Sequence, residues 1–380
     1  MVRGAICLTL ILALTPPVFA RTDSGDTREV SAQTESYSDA LKKVVLGRPK
    51  RGAPGVPLPE AKWGLRRHIK LAPDTDFRPN NGLEDRDAVP YLIDVMRNGP
   101  AWKDDTRLTA YGGVARQIAR CSAALNLGAH KDPRAFEPLL ETLEHGELLA
   151  GVSWGNHPSD YDIRRHAAMA LGMLGDVRAV DPLVSVLKNR ENDRDLRLAC
   201  MWPLARFRDM RTLPVMIEAA DELDVPYYHT YFSYMTGIWF EPEYGRENRA
   251  WVKEFPELGQ IKSPVKGWRH WLKVGEHLAT EQFDEHYAKW KEVKQTDPEI
   301  EHAIRFHYQK MLKYGVATLP RLIERIEKGE TDLISAVREI TSGKVKEDAT
   351  RREVLDWWDK NKERWLIPFG KSASEDSTRQ

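Results

Sequence analysis

The chain has 380 residues, a length that fits two domains or one repeat array better than one small compact domain. Charged residues make up 30% of the chain and the mean hydropathy is −0.54, values that are typical of a water-soluble protein. Lysine plus arginine equals aspartate plus glutamate, 57 of each, so no global charge points to nucleic acid as a partner.

The first twenty residues have the order of a secretory signal peptide. Arg3 supplies a positive charge, residues 4–14 are apolar, and Pro16 with Pro17 interrupts any helix. Val18-Phe19-Ala20 then has the small-residue form that signal peptidase cleaves. We therefore expect this segment (1–20) to be removed and the mature protein to be periplasmic or extracellular. Its retention as a membrane anchor is the alternative.

Residues 21–75 have little hydrophobic periodicity and predict a flexible linker, with at most a short helix near 38–46. Within it, the window 41–70 carries nine bases and one acid, a local charge of 9 − 1 = +8. This window is either a solvated spacer or an arm that weakly contacts an anionic surface, such as phospholipid or an acidic partner. The basic residues proposed for that contact are Lys42, Lys43, Arg48, Lys50, Arg51, Arg66 and Arg67.

A pair of amphipathic helices is clearest after residue 162. Apolar residues at offsets 0, 4, 7, 8 and 11 form one stripe, with Asp162 placed to cap the helix and Gly175 placed to end it. A second stripe at offsets 0, 3, 4 and 7 follows the turn Asp176-Val177-Arg178, and Pro182 lies in its first turn. The stripes are Ile163, Ala167, Ala170, Leu171 and Leu174, then Val180, Leu183, Val184 and Leu187.

The same pattern recurs along the chain. Position 163 is followed by 196 and position 180 by 213, a displacement of 33 residues for both helices. The recurring stripes are Leu196, Cys200, Pro203, Leu204 and Phe207 with Leu213, Met216, Ile217 and Ala220; Val114, Ile118, Cys121 and Leu125 with Phe136, Leu139, Leu140 and Leu143; Ile300, Ile304, His307, Tyr308 and Met311 with Leu319, Leu322, Ile323 and Ile326; and a single second-helix stripe of Val89, Leu92, Ile93 and Met96. Because one pair cannot bury both of its stripes, the recurrence predicts an all-α solenoid of stacked, antiparallel helix pairs.

Two stretches carry a family resemblance. Residues 167–180 and 132–140 resemble the HEAT-like repeats first named from phycobilisome lyases. The chain end, with Ile340-Thr341-Ser342-Gly343 and then Leu355-Asp356-Trp357-Trp358, is similar to the closing segment of exported bacterial HEAT-repeat proteins. The resemblance implies a HEAT/armadillo-like fold and a general role in binding, and it transfers no catalytic residue to this chain.

The pattern and the resemblance together divide the chain. A HEAT-like repeat array is expected at 76–224, an irregular aromatic segment at 225–280, and C-terminal HEAT-like helix pairs at 281–370. A polar, disordered tail is expected at 371–380.

The aromatic segment either fills the junction between two helical stacks or lines a recess for a peptide, a glycan or an apolar ligand. Tyrosine and tryptophan suit both roles, since each joins an apolar body to a polar group. Filling is the favoured interpretation, with Trp268 and Trp271 mostly buried. The residues of the alternative recess are Tyr227, Tyr231, Trp239, Trp268 and Trp271.

The sequence predicts no catalytic, cofactor-binding or metal-binding residue. No Gly-rich phosphate loop, nucleophile elbow or paired-cysteine site occurs in the sequence. Four Glu-His dipeptides, ending at His145, His277, His286 and His302, resemble the His-Glu dipeptides through which the HEAT-repeat enzyme deoxyhypusine hydroxylase binds iron. Here the order is reversed and the dipeptides occupy inequivalent repeat positions. Bilin lyase activity, suggested by the name of the repeat, is disfavoured by the export signal.

Removal of the signal leaves two cysteines, Cys121 and Cys200, both on apolar stripes. Two buried reduced thiols are the favoured interpretation, and a disulfide is the alternative. The sequence as a whole predicts a non-catalytic binding or scaffolding protein. Its protein or peptide partner would be held on the concave face, which the second helices would line.

Overall fold

The structure is a computed structural model that describes residues 26–46, 76–102, 113–147, 162–225, 228–238, 263–296 and 300–370. The expected signal peptide, most of the expected linker and the expected tail lie outside these residues. The elements in the described ranges are α-helices and short 3-10 helices, and they confirm the predicted all-α solenoid. None of the described helices has the length and apolar character needed to cross a membrane.

The helices of the repeat array are α1 (Asp26–Leu46), α2 (Ala88–Asn98), α3 (Gly113–His130), α4 (Phe136–His145), α5 (Ile163–Leu174), α6 (Val180–Lys188), α7 (Arg194–Ala199), α8 (Met201–Phe207) and α9 (Leu213–Glu222). The remaining helices are α10 (His229–Thr236), α11 (Pro264–Thr296), α12 (Glu301–Met311), α13 (Leu319–Glu327), α14 (Ile334–Ile340) and α15 (Arg351–Trp365). First helices pack on first helices of the next pair, as α3 does on α5, and each also packs on a second helix, as α5 does on α4. A continuous core follows from these contacts.

The helix pair after residue 162 forms as its residues predict. The Asp162 carboxylate accepts a hydrogen bond from the backbone N–H of Arg164 at 2.9 Å, which caps α5. Gly175 ends the helix with φ of +78°, a left-handed conformation that glycine adopts without steric cost. Leu183, on the second stripe, is fully buried.

An Asp-x-Arg turn precedes three of the second helices. The carboxylates of Asp132, Asp176 and Asp209 accept from the backbone N–H two residues later at 2.9, 3.0 and 3.1 Å. The guanidinium of the same later residue also donates to the carboxylate in every turn. In the first turn, this bond from Arg134 is the main reason that the pKa of Asp132 falls to about 2. These hydrogen bonds therefore fix the backbone of the turn that connects the two helices of each pair.

The repeat at 194–207 departs from the prediction of one continuous first helix. The helix is divided into α7 and α8 at Cys200. Pro203 explains the division, because it has no N–H to donate to the carbonyl of Ala199 and its ring would clash with that carbonyl. Around Pro203, α8 packs closely against α5. If Gly172 of α5 carried a Cβ, that atom would lie only 2.6 Å from the Pro203 Cβ.

The expected flexible linker is wrong for residues 26–46, which form the 21-residue helix α1. This helix packs on α2 and α3, and its Leu41 is fully buried. The Tyr37 hydroxyl donates to Asp85 at 3.3 Å and Trp102 donates to Ser38 at 3.1 Å. Weak sequence periodicity hid this helix, because its apolar surface is narrow and its partners lie more than 40 residues away. α1 therefore acts as the first helix that pairs with α2, for which the sequence pattern gave only a second-helix stripe.

The C-terminal part is more helical than its sequence suggested. Within the segment expected to be irregular, residues 229–236 form α10, and 264–280 belong to the 33-residue helix α11. The second-helix stripe of α13 is buried as predicted. In α12 only Met311 is buried, because this helix packs mainly along α11 and its opposite side faces solvent.

The buried second-helix stripe gives a stability test. Leu183→Ala should lower the free energy of unfolding by about 2–5 kcal/mol, since the substitution leaves a cavity in a packed core. Val177→Ala is the control, because Val177 is 48% exposed in the turn that precedes the same helix. Chemical denaturation of both variants measures the difference. A loss below about 1 kcal/mol for Leu183→Ala would show that the assigned register is incorrect.

Candidate binding surface on the second helices

The aromatic residues proposed to line a recess are buried where the structure describes them. Tyr231 is 2% exposed, and Trp268 and Trp271 are 0% exposed. The rings of Trp268 and Trp271 meet edge to face at 5.4 Å. Trp271 in turn meets Phe369 at 5.1 Å, so the cluster joins α11 to the chain end. Tyr227 and Trp239 lie outside the described residues. These positions favour packing over a ligand recess.

Two of the basic residues proposed to contact an anionic surface lie on α1. Lys42 approaches Asp39 at 3.5 Å, and Lys43 is exposed in the last turn of the helix. The other proposed residues, which are Arg48, Lys50, Arg51, Arg66 and Arg67, lie outside the described part of the chain. The structure thus places the start of the basic window on a packed helix.

Both cysteines are free and fully buried. Burial raises the pKa of both thiols far above the ordinary value, which keeps them protonated. Cys200 donates weakly to the Leu196 carbonyl, in the pattern of a small core residue. The prediction of two reduced core thiols is confirmed, and the disulfide alternative is wrong.

Arginine side chains connect successive helix pairs in a way that the sequence did not reveal. Four arginines each donate to a last-turn carbonyl of the preceding second helix. Arg120 lies in the middle of α3, and the other three lie near the start of their helices. The bonds are Arg120 to Met96 at 2.8 Å, Arg164 to Leu143 at 2.8 Å, Arg197 to Leu187 at 2.9 Å and Arg351 to Ile326 at 2.8 Å. These carbonyls have no partner inside their own helix and carry partial negative charge, so a guanidinium is a suitable donor.

A sequence signal for these arginines existed. Arg164 and Arg197 both stand one residue after the start of the first stripe, and 197 − 164 = 33 is the repeat displacement. The recurring charge could have been recognised, but its target could not. Each target carbonyl belongs to the backbone of another helix, and no residue type marks it.

Charge is divided between the two sets of helices in the array. Apart from α1, the first helices are α3, α5, α7 and α8, which carry seven arginines and one acid, so their net charge is 7 − 1 = +6. Second helices α2, α4, α6 and α9 carry two bases and eight acids, so their net charge is 2 − 8 = −6. The eight acids are Asp94, Glu137, Glu141, Glu144, Asp181, Glu218, Asp221 and Glu222. This division occurs in a chain whose total formal charge is zero.

The acids of the second helices face solvent. Seven of the eight are exposed and Asp221 is half-buried. On α4 they stand at positions 137, 141 and 144, offsets of 0, 4 and 7 that define one helical face opposite the buried stripe. We call the exposed surface that the eight acids share the acidic face.

Part of the acidic face is paired with arginines. Arg97 approaches Glu141 at 2.5 Å and thereby links α2 to α4. Arg178 approaches Glu137 at 3.5 Å. By contrast, three acids form no ion pair with any residue that the structure describes. They are Asp94, Asp181 and Glu218, one on each of three second helices. The acidic face therefore keeps carboxylates that a positively charged partner can reach.

Among the described residues, no group of three or more histidine, cysteine, aspartate or glutamate side chains is arranged to hold a metal ion. The Glu-His dipeptides are dispersed over α4, α11 and α12. His277, from one of them, makes a local contact with Glu281 at 3.2 Å.

Comparison with protein families identifies HEAT repeats in this chain. A model of HEAT repeats matches residues 156–228. A model of the PBS lyase HEAT-like repeat matches residues 119–145. These segments contain the three Asp-x-Arg turns and α5 to α9, so the resemblance to HEAT-like repeats is confirmed. No curated protein matches the sequence.

Two arginines that contact the same glutamate should differ in how much their replacement lowers the free energy of unfolding, because only one of them is buried. Arg197 and Arg190 both approach Glu222, at 3.0 and 3.3 Å, but their side chains are 6% and 73% exposed. Arg197→Met should cost about 3 kcal/mol of unfolding free energy or more, because buried acceptors lose their donor. Arg190→Met should cost about 1 kcal/mol or less. Equal losses in thermal or chemical denaturation would contradict this assignment.

Proposed function

We propose that the chain is an exported, non-catalytic binding or scaffolding protein that holds a protein or peptide partner on its acidic face. The observation that carries the proposal is the charge division of the array, with −6 on the second helices and its acids directed to solvent. HEAT repeats in general serve as protein-interaction scaffolds, and this supports the class of function.

The chemistry of the acidic face specifies the partner. Carboxylates on four successive helices form an extended negative surface, which attracts lysine and arginine side chains over distances of about 10 Å at moderate salt. The partner is therefore a protein or peptide with a basic segment that reaches several repeats. Such attraction chiefly raises the rate of association and the discrimination between partners.

The buried aromatic cluster supports this function over a ligand or glycan site. Tyr231, Trp268 and Trp271 stabilise the junction between α10 and α11 and offer no wall to solvent. The acidic face, in contrast, consists of side chains that are exposed and whose main chain is fixed by the stack. A rigid scaffold with accessible charges suits recognition.

The test neutralises the acids that lack ion pairs. The variant Asp94→Asn/Asp181→Asn/Glu218→Gln should lose captured envelope proteins that wild-type mature protein retains at low salt, because the attraction to basic segments is weakened. The matched control, Glu301→Gln/Glu347→Gln/Asp359→Asn, removes the same charge from exposed acids outside the acidic face.

Affinity capture from the cell-envelope fraction, followed by identification and isothermal titration of the captured protein, measures the effect. The control variant should bind as the wild type does, and binding should weaken as salt is raised. Equal binding by both variants would exclude the acidic face as the contact surface.

Export is tested separately. N-terminal sequencing of envelope material should find Arg21 as the first residue, because Val18-Phe19-Ala20 is placed for cleavage. Met1 at the N-terminus of that material would contradict cleavage.

A further inference from the structure

Two histidines from different helices meet near the open end of the α11–α12 pair. His286 lies on α11 and His307 on α12, and their Nδ1 atoms are 2.9 Å apart. The ring centroids are 5.2 Å apart with an angle of 34° between the planes. Both residues are half-buried. The sequence had assigned His307 to an apolar stripe, and its actual partner is the histidine of a Glu-His dipeptide.

The short distance constrains the protons on the two rings. If both Nδ1 atoms carried hydrogen, two N–H groups would point at each other. One ring therefore donates from Nδ1 and the other accepts there, with its own proton on Nε2. Burial lowers the pKa of His286, the Glu285 carboxylate opposes this change, and His307 with two nearby lysines adds to it. The two Nδ1 atoms thus face each other across one hydrogen bond.

The same separation matches two ligands of one metal ion. Imidazole nitrogens bind such ions at about 2.0–2.1 Å. Two nitrogens 2.9 Å apart at that distance subtend an angle of about 90° at the ion. A tetrahedral zinc site would require nitrogens about 3.3 Å apart. An angle of about 90° is that of square-planar or tetragonal coordination, which Cu²⁺ and Ni²⁺ adopt with nitrogen ligands.

We propose that His286 and His307 form a two-imidazole site for a divalent transition-metal ion of the Cu²⁺ or Ni²⁺ type. Binding requires the donor ring to lose its Nδ1 proton and to gain one at Nε2, with no net proton release from the neutral pair. Water can transfer this proton because the rings are half-exposed. Both rings must then turn about their side-chain bonds, so that the lone pairs that faced each other in the hydrogen bond point to the ion.

The surroundings of the pair indicate a weak, open site. Glu285 lies close enough for its charge to interact with both rings, but its carboxylate is held by Lys289 at 2.6 Å. Lys310 interacts with the Phe306 ring and adds a second positive charge near His286. No third protein ligand is arranged with the pair among the described residues, so water fills the other positions.

Metal binding would add a side-chain link between α11 and α12, which already pack along each other. In α12 only Met311 is buried, and the rest of the helix is exposed or half-buried. An ion shared by the two rings would fasten α12 to α11. A ligand that binds only the folded pair raises its stability in proportion to the logarithm of ligand concentration over Kd.

The test uses full-length mature protein with CuSO4 or NiCl2 alone. Titration calorimetry should detect one ion per chain, and electron paramagnetic resonance of the Cu²⁺ form should show coupling to two imidazole nitrogens. His286→Ala and His307→Ala should each weaken binding by about 10-fold or more. His277→Ala on α11 and His302→Ala on α12 are matched controls, and both should bind as the wild type does.

Unchanged Cu²⁺ affinity in both His286→Ala and His307→Ala would overturn the proposal, as would a wild-type resonance spectrum without two imidazole nitrogens. Thermal melts verify that the variants fold, and the wild-type spectrum decides the matter if one does not. The result is independent of the proposed function, because the acidic face lies on other helices.

Discussion

The stack depends on hydrogen bonds from arginine side chains to the last carbonyls of second helices. Four carbonyls at a helix C-terminus lack intrahelical partners, and water cannot reach them readily when the next pair packs over that end. Arg164 and Arg197 satisfy such carbonyls in successive repeats, at 2.8 and 2.9 Å. Because the donor stands at the start of one pair and the acceptor at the end of another, each bond fixes the relative position of two repeats. The apolar stripes supply most of the burial, and the arginines determine the register.

The charge of the surface follows from this use of arginine. Three of the seven arginines on the first helices are buried, and the guanidinium groups of Arg120 and Arg197 meet carbonyl dipoles there. The second helices carry the opposite charge, as acids on the side away from the core, in a chain whose formal net charge is zero. The acidic face and the arginines of the first helices thus carry opposite charge on the two sets of helices. The acidic face gives the scaffold a chemical preference for basic partners without any added element.

The same interaction joins the repeat array to the C-terminal helices. Arg208, in a left-handed conformation at the end of α8, donates to the carbonyls of Met235 and Ile340 at 3.2 and 3.0 Å. Burial lowers the pKa of this arginine, and among its described contacts are carbonyl dipoles and the Trp365 ring at 5.1 Å. In addition, Arg364 of α15 donates to the carbonyl of Phe207, the last residue of α8, at 3.1 Å. The chain end is thereby fixed against the middle of the array, and the aromatic cluster fills the space beside it.

The sequence by itself determined the helix pairs, their caps and the Asp-x-Arg turns, because these depend on residues within a few positions of one another. Asp162 and Gly175 delimit α5 through local hydrogen bonds and backbone conformation. Only the tertiary structure decided the rest. It placed α1 in the core, directed the arginines to carbonyls of other helices, and brought His286 to His307 across 21 residues. These features depend on side chains that folding brings together from distant positions, and no local pattern encodes such a meeting.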